Sequence, residues 1–188
     1  DVIDQYLSYC GLPELEKSQK VRNKIRDKAI ILIGFAGGFR RSEIVNIDYD
    51  DIEFVSEGVK IFIKRSKTDQ SGEGMIKAIP YFENKSFCPV LALKNWIEYT
   101  QIKSGKLFDI SDKSVALIIK KYASLAGLDE NKYGGHSLRS GFATSAAEFG
   151  AEERNIMAMT GHKTTQMVRR YIQEANLFKN NALNKIKF

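Results

Sequence analysis

The sequence predicts an α+β domain, mostly α-helical, with a small antiparallel three-stranded sheet, and three observations predict it. Apolar residues recur at helical spacing early in the chain (Ile25, Ala29, Leu32, Ile33) and again after its midpoint (Val90, Leu93, Trp96, Ile97). Between these lie three short β-like runs, DIEFV at 51–55, VKIFIKR at 59–65 and MIKAIPY at 75–81. A length of 188 residues, 43% hydrophobic and 28% charged, suits one compact domain with a sizeable core.

In order along the chain, residues 1–18 read as the end of a connector from a missing N-terminal domain, punctuated by Gly11 and Pro13. A buried helix is expected from Val21 to Phe35, ended by the glycines of GFAGGF. A short helix begins near Arg41 and Ser42 and carries Ile44, Val45 and Ile47. The second and third β-like runs are separated by SKTDQSGEGM, a polar loop too long for a two-residue hairpin turn. Pro89 suits a first helical position, because its missing N–H has no partner there anyway. Further helices are expected at 112–126, 137–149, 152–159, 164–172 and 176–186.

The formal net charge of +6 favours a polyanionic partner without requiring one. No apolar run approaches the roughly 20 residues of a membrane-spanning helix, and no signal-peptide pattern is present. The chain is therefore expected to act in the cytoplasm, at the nucleoid, and to be part of a longer protein. Cys10 and Cys88 are far apart and outside any C-x-x-C pattern, so they read as two free thiols rather than a zinc site.

Three motifs carry chemistry. In GGFRRSEI (37–44), glycines precede a helix start beside two arginines, a combination suited to an anion but matching neither a P-loop nor a dinucleotide fingerprint. GHSLRSG (135–141) imitates a serine-hydrolase elbow but has Arg139 where that motif needs glycine. On a helix, His136 and Arg139 share one face and can converge on a ligand. In TGHKTTQMVRRYI (160–172), His162 sits in a turn nine residues before Tyr171. These are the only two histidines in the chain.

Taken together, the motifs resemble the tyrosine recombinase, or phage integrase, family. The family pattern is an arginine in G-[LF]-R-x-S-E, a hairpin lysine, H-x-x-R, then G-H, then a tyrosine nine residues on. Here G-F-R-R-S-E places Arg40 at the first arginine position and Glu43 at the acidic one. R-S-K-T places Lys67 at the lysine position, with Lys64 and Lys77 as nearby alternatives. H-S-L-R supplies His136 and Arg139, G-H supplies His162, and R-R-Y supplies Tyr171. Arg41 adjoins Arg40, and the pattern selects Arg40. The resemblance runs from about residue 20 to residue 175 and implies the C-terminal catalytic-domain fold of that family over 19–175. It implies a core-binding domain missing before residue 18, and a tail helix at 176–188 of the kind exchanged between protomers.

The resemblance further implies a site-specific DNA recombinase, which cleaves double-stranded DNA through a 3′-phosphotyrosine bond and frees a 5′-hydroxyl. It implies no metal, cofactor or ATP, and a tetramer on two DNA sites for the full reaction, with this piece monomeric alone. Arg40 and Arg139 would offer paired N–H donors to the non-bridging oxygens. Tyr171 would attack, His136 would take its proton, Lys67 would protonate the leaving 5′-oxygen, and His162 would donate to a phosphate oxygen. Glu43 would orient its basic neighbours. Two alternatives share these residues: a type IB topoisomerase-like nicking and rejoining enzyme, and a DNA-binding module without catalysis.

Overall fold

The computed structural model describes residues 14–64, 74–162 and 164–176. Helix α1 (Glu14–Ala36) buries Ala29, Ile30, Ile33 and Ala36 along one side. It starts earlier than the apolar spacing suggested. Residues 14–18, read from the sequence as connector, are the first turn of this helix, where Leu15 alone is too little apolar pattern to announce it. Short helix α2 (Arg41–Val45) follows, then strands β1 (Ile52–Val55), β2 (Gly58–Ile63) and β3 (Met75–Pro80).

The three strands form one antiparallel sheet in the order β1-β2-β3, with Lys77 opposite Ile61 and Ile79 opposite Val59. Strand alternation sends Val59, Ile61, Ile63, Lys77 and Ile79 inward and leaves Ile76 in solvent. Lys77 thus occupies a core-facing position in a strand otherwise patterned for burial.

Helices α3 (Pro89–Thr100), α4 (Asp112–Leu125), α5 (Ser137–Glu148), α6 (Glu153–Thr160) and α7 (Thr165–Asn176) complete the described fold. Helix α3 carries Pro89 at its start as expected and packs on α1. Ser111 caps α4 by accepting from the Ser114 backbone N–H. The main core joins α1, the sheet, α3 and α4, with Trp96 stacked on Phe108 and its indole N–H bonded to the Leu107 carbonyl. Among the described residues the thiol of Cys88 is free and buried in this core, whereas Cys10 lies outside them.

A smaller second cluster, Ala143, Ala147, Ile156 and Val168, binds α5, α6 and α7 together, with Tyr171 and Ile172 against it. Helix α5 also packs on α1, where the approach is close. A side chain at Gly34 would stand 2.6 Å from Leu138 and 2.9 Å from Ile44. This contact places Arg139, the neighbour of Leu138, against the loop that leads into α2. Helix α7 runs five residues past Tyr171, so the tyrosine sits inside a helix rather than at its end.

Candidate functional site

The loop Gly37–Arg40 turns sharply between α1 and α2. Gly38 adopts φ +54°, a conformation that costs a side chain but not a glycine. The turn aims two peptide carbonyls inward. Lys77 Nζ donates to the Gly37 carbonyl at 2.7 Å and lies 3.4 Å from that of Gly38, while Arg139 Nη1 donates to Gly38 O at 3.1 Å. Phe39 packs under Lys77, its ring centre 4.4 Å from Nζ.

Arg40 and Glu43 form the opposite wall. Glu43 Oε2 accepts from the Arg40 backbone N–H at 2.9 Å, and Oε1 accepts from Arg40 Nη1 at 2.6 Å. The same carboxylate lies 3.6 Å from Lys77 Nζ. Local sequence accounts for this geometry. Glu43 is the third residue of α2, where a carboxylate reaches back to the N–H preceding the helix. Arg41 points away from this pair and lies against the backbone of Gly135, just before His136.

Three cations, Arg40, Lys77 and Arg139, therefore surround one buried carboxylate. Burial, opposed by Glu43 and reinforced by Arg139 and Arg40, brings Lys77 down to about 8. Burial and the Arg40 charge bring Arg139 down to about 10. Arg139 Nη2 is buried and has no hydrogen-bond partner among the described residues. A buried guanidinium nitrogen is stabilised by an oxygen acceptor.

His162 closes the site from the turn after α6. Its Nδ1 lies 2.8 Å from Thr160 Oγ1, and its ring centre is 6.2 Å from that of Tyr171. Burial, then Arg139, Arg40 and Lys77, hold its pKa at about 4, so the imidazole is neutral at physiological pH. Tyr171, half-buried on α7, lies within electrostatic range of Arg139. His136 is exposed at the start of α5, one turn before Arg139, and its carbonyl accepts from Ser140.

The lysines divide by environment. Lys67, the expected hairpin lysine, lies outside the described residues. Lys64 is engaged by Asp48 Oδ2 at 2.6 Å and Asp51 Oδ1 at 3.0 Å, which raise its pKa. Lys77 is buried beneath the two arginines. The sequence offered it only as an alternative hairpin lysine, and its burial was visible as alternation: in MIKAIP it shares a strand face with Ile79.

Comparison with known proteins decides the family. The phage integrase family matches residues 13–177. The chain belongs to this family. It is 51% identical over 174 residues to the integrase/recombinase xerD homolog of Selenomonas ruminantium, a match covering 86% of this chain and 51% of that one. The chain spans about half the length of this curated relative. Among solved structures, the XerA recombinase superposes with TM-score 0.68 at 20% identity, over 94% of this chain and 64% of the other. XerH bound to palindromic difH in a post-cleavage complex gives TM-score 0.67 at 18% identity, over 94% and 50%. These two likenesses establish the shared catalytic-domain fold. Among the described residues no helix is long and apolar enough to cross a membrane.

Proposed function

We propose that this chain is the catalytic domain of a site-specific DNA recombinase that cleaves and rejoins DNA through a 3′-phosphotyrosine bond. The observation that carries the reading is the cluster of Arg40, Lys77 and Arg139 around the carboxylate of Glu43, with Arg139 Nη2 buried and without a hydrogen-bond partner among the described residues. Such a cluster holds more positive charge than its carboxylate neutralises, and a phosphodiester supplies the missing negative charge. Tyr171, the candidate nucleophile, stands beside it.

In this reading Arg40 and Arg139 clamp the non-bridging oxygens, and the clamp tightens as charge accumulates there in the transition state. Tyr171 Oη attacks phosphorus. His136 takes the phenolic proton, and His162 donates to a phosphate oxygen. Lys67 protonates the departing 5′-oxygen, and Glu43 and Lys77 hold the arginines in place. The reverse attack by a 5′-hydroxyl of a partner strand reseals DNA without an energy source, because the covalent bond conserves the phosphodiester energy. XerH bound to its palindromic difH substrate in a post-cleavage complex, and the Tn1549 transposon integrase in complex with transposon right end DNA, support the substrate class. A tetramer on two sites, exchange of the tail at 176–188 and action at the nucleoid belong to the same proposal for the whole protein.

A nicked suicide substrate tests it. The wild-type chain should accumulate a covalent protein–DNA adduct, and Tyr171→Phe should form none while binding DNA with similar affinity. Absence of an adduct in the wild type would leave a DNA-binding module. Supercoil relaxation without two-site recombination by the full-length protein would favour the topoisomerase-like alternative.

A further inference from the structure

Arg40 and Arg41 are adjacent in the chain, and their side chains go to different places. Arg40, just before α2, turns to Glu43. Arg41 opens α2, half-buried, and lies over the peptide that leads into His136. Among the described residues it has neither an ion-pair nor a hydrogen-bond partner. What it has is a gap to lie in. A methyl group at Gly135 would stand 2.0 Å from Arg41 Nε, 2.2 Å from Cδ and 2.5 Å from Cζ. A methyl at Gly134, one residue earlier, would meet nothing within 4 Å. Neither glycine has a positive φ, so the backbone does not demand glycine at either place. Gly135 makes room for Arg41.

The turn into α5 is shaped by bonds within itself. Gly134 N–H donates to Ser137 Oγ at 2.8 Å, and Ser137 N–H donates to Gly134 O at 3.0 Å. Ser140 donates to the His136 carbonyl through its N–H and its hydroxyl, each at 2.9 Å. None of these bonds joins the turn to another element. Arg139 ties α5 to Gly38 one turn further on. The segment that presents exposed His136 meets α2 through Arg41. Because Arg41 is bonded to Arg40 and lies on the residue bonded to His136, this contact sets the spacing between those two groups.

We propose that Arg41 is a positioning residue: lying in the space left by Gly135, it seats the turn that presents His136 to the phosphate held by Arg40 and Arg139. The proposal rests on the cleavage reading given above, in which His136 takes the phenolic proton of Tyr171. A guanidinium without an acidic partner would also suit a phosphate elsewhere on the strand. The gap at Gly135 favours the positioning role, because a phosphate contact needs no space cleared on the protein. Misplacing a catalytic group by about 1 Å costs on the order of 10²-fold in rate, so a contact at this hinge matters without touching the substrate.

The test turns on the gap. Single-turnover adduct formation at saturating nicked DNA should fall roughly 10- to 100-fold in Arg41→Ala. Gly135→Ala should lose as much, because its methyl pushes Arg41 off the turn, while Gly134→Ala should keep the wild-type rate. In the Arg41→Ala background Gly135→Ala should add no further loss, since the side chain it displaces is gone. Loss of Arg41 from a His136→Gln variant should likewise add little, because no imidazole is left to seat. Full additivity of the Arg41 and Gly135 changes would overturn the proposal. So would a salt slope of DNA binding reduced by about one in Arg41→Ala with the rate at saturating DNA kept, which would make Arg41 a phosphate contact.

Amide exchange without DNA gives a second readout. The Ser140 N–H, bonded to the His136 carbonyl, should exchange at least about threefold faster in Arg41→Ala and in Gly135→Ala, while amides within α3 keep their rates. An unchanged Ser140 rate, or one that rises together with those of α3, would overturn the proposal. If the wild type forms no adduct, the cleavage reading fails, while exchange still decides whether Arg41 seats the turn.

Discussion

Arg139 Nη1 donates to the carbonyl oxygen of Gly38 at 3.1 Å, across 101 residues of chain. Lys77 Nζ approaches the same oxygen at 3.4 Å. One peptide unit therefore aligns α5 and β3 with the loop that carries Arg40. The bond through Nη1 fixes the orientation of the guanidinium against the loop.

Arg139→Lys should abolish most cleavage while preserving the net charge. An ammonium group lacks the planar fork that bonds Gly38 and a phosphate oxygen together. The adduct-forming rate on a nicked substrate should fall by at least about 10²-fold, as for the loss of one preorganised donor. A rate within threefold of wild type would show that charge alone suffices.

Gly38→Ala should weaken both the fold and the site. The residue has φ +54°, and an added methyl would stand 2.9 Å from the Phe142 ring and 3.2 Å from Thr160 Cγ2. The expected loss is about 1–3 kcal/mol in denaturant unfolding. Cleavage should slow as well, because the acceptor of both Arg139 and Lys77 shifts.

Stability should vary with pH in two windows. His162 has a pKa near 4 in the folded chain against an ordinary 6.5. Between these values the unfolded chain takes up a proton that the folded one refuses, so stability falls as pH drops from 6.5 to 4. Lys77, near 8 when folded against 10.5, gives the alkaline counterpart, with stability rising as pH climbs from 8 to 10.5. His162→Gln should flatten the acid window and Lys77→Met the alkaline one, each measured by denaturant midpoints across pH. An unchanged slope in either variant would assign the linkage elsewhere.

Lys67→Ala should slow cleavage strongly on ordinary DNA and far less on a substrate with a 5′-bridging phosphorothiolate. A thiolate leaves without a proton, so the general acid becomes dispensable. An equal defect on both substrates would remove Lys67 from that role.

Much of the fold was legible in residue order because periodicity is local. Helical spacing located α1 and α3, and period-2 runs located the three strands to within a residue or two at most ends. The start of α1 was not legible, since Glu14–Ser18 offer no apolar stripe. The extension of α7 beyond Tyr171 was missed because the motif, not the helix, set the expected end.

The sequence by itself determined the family and the list of chemical groups, since motifs such as G-F-R-R-S-E, H-S-L-R and G-H followed by tyrosine are covalent facts about order and spacing. Only the tertiary structure decided what each group faces. Lys77 reads only as an alternative to Lys67 until the sheet brings it beside Glu43 and the Gly37 and Gly38 carbonyls, where burial and the charges of Arg139 and Arg40 lower its pKa. Thr160 reads as a helix end until its hydroxyl is found between Ile156 and His162. Hydrogen-bond direction, dielectric and mutual charge depend on distances between residues far apart in the chain, and such distances exist only once the chain has folded.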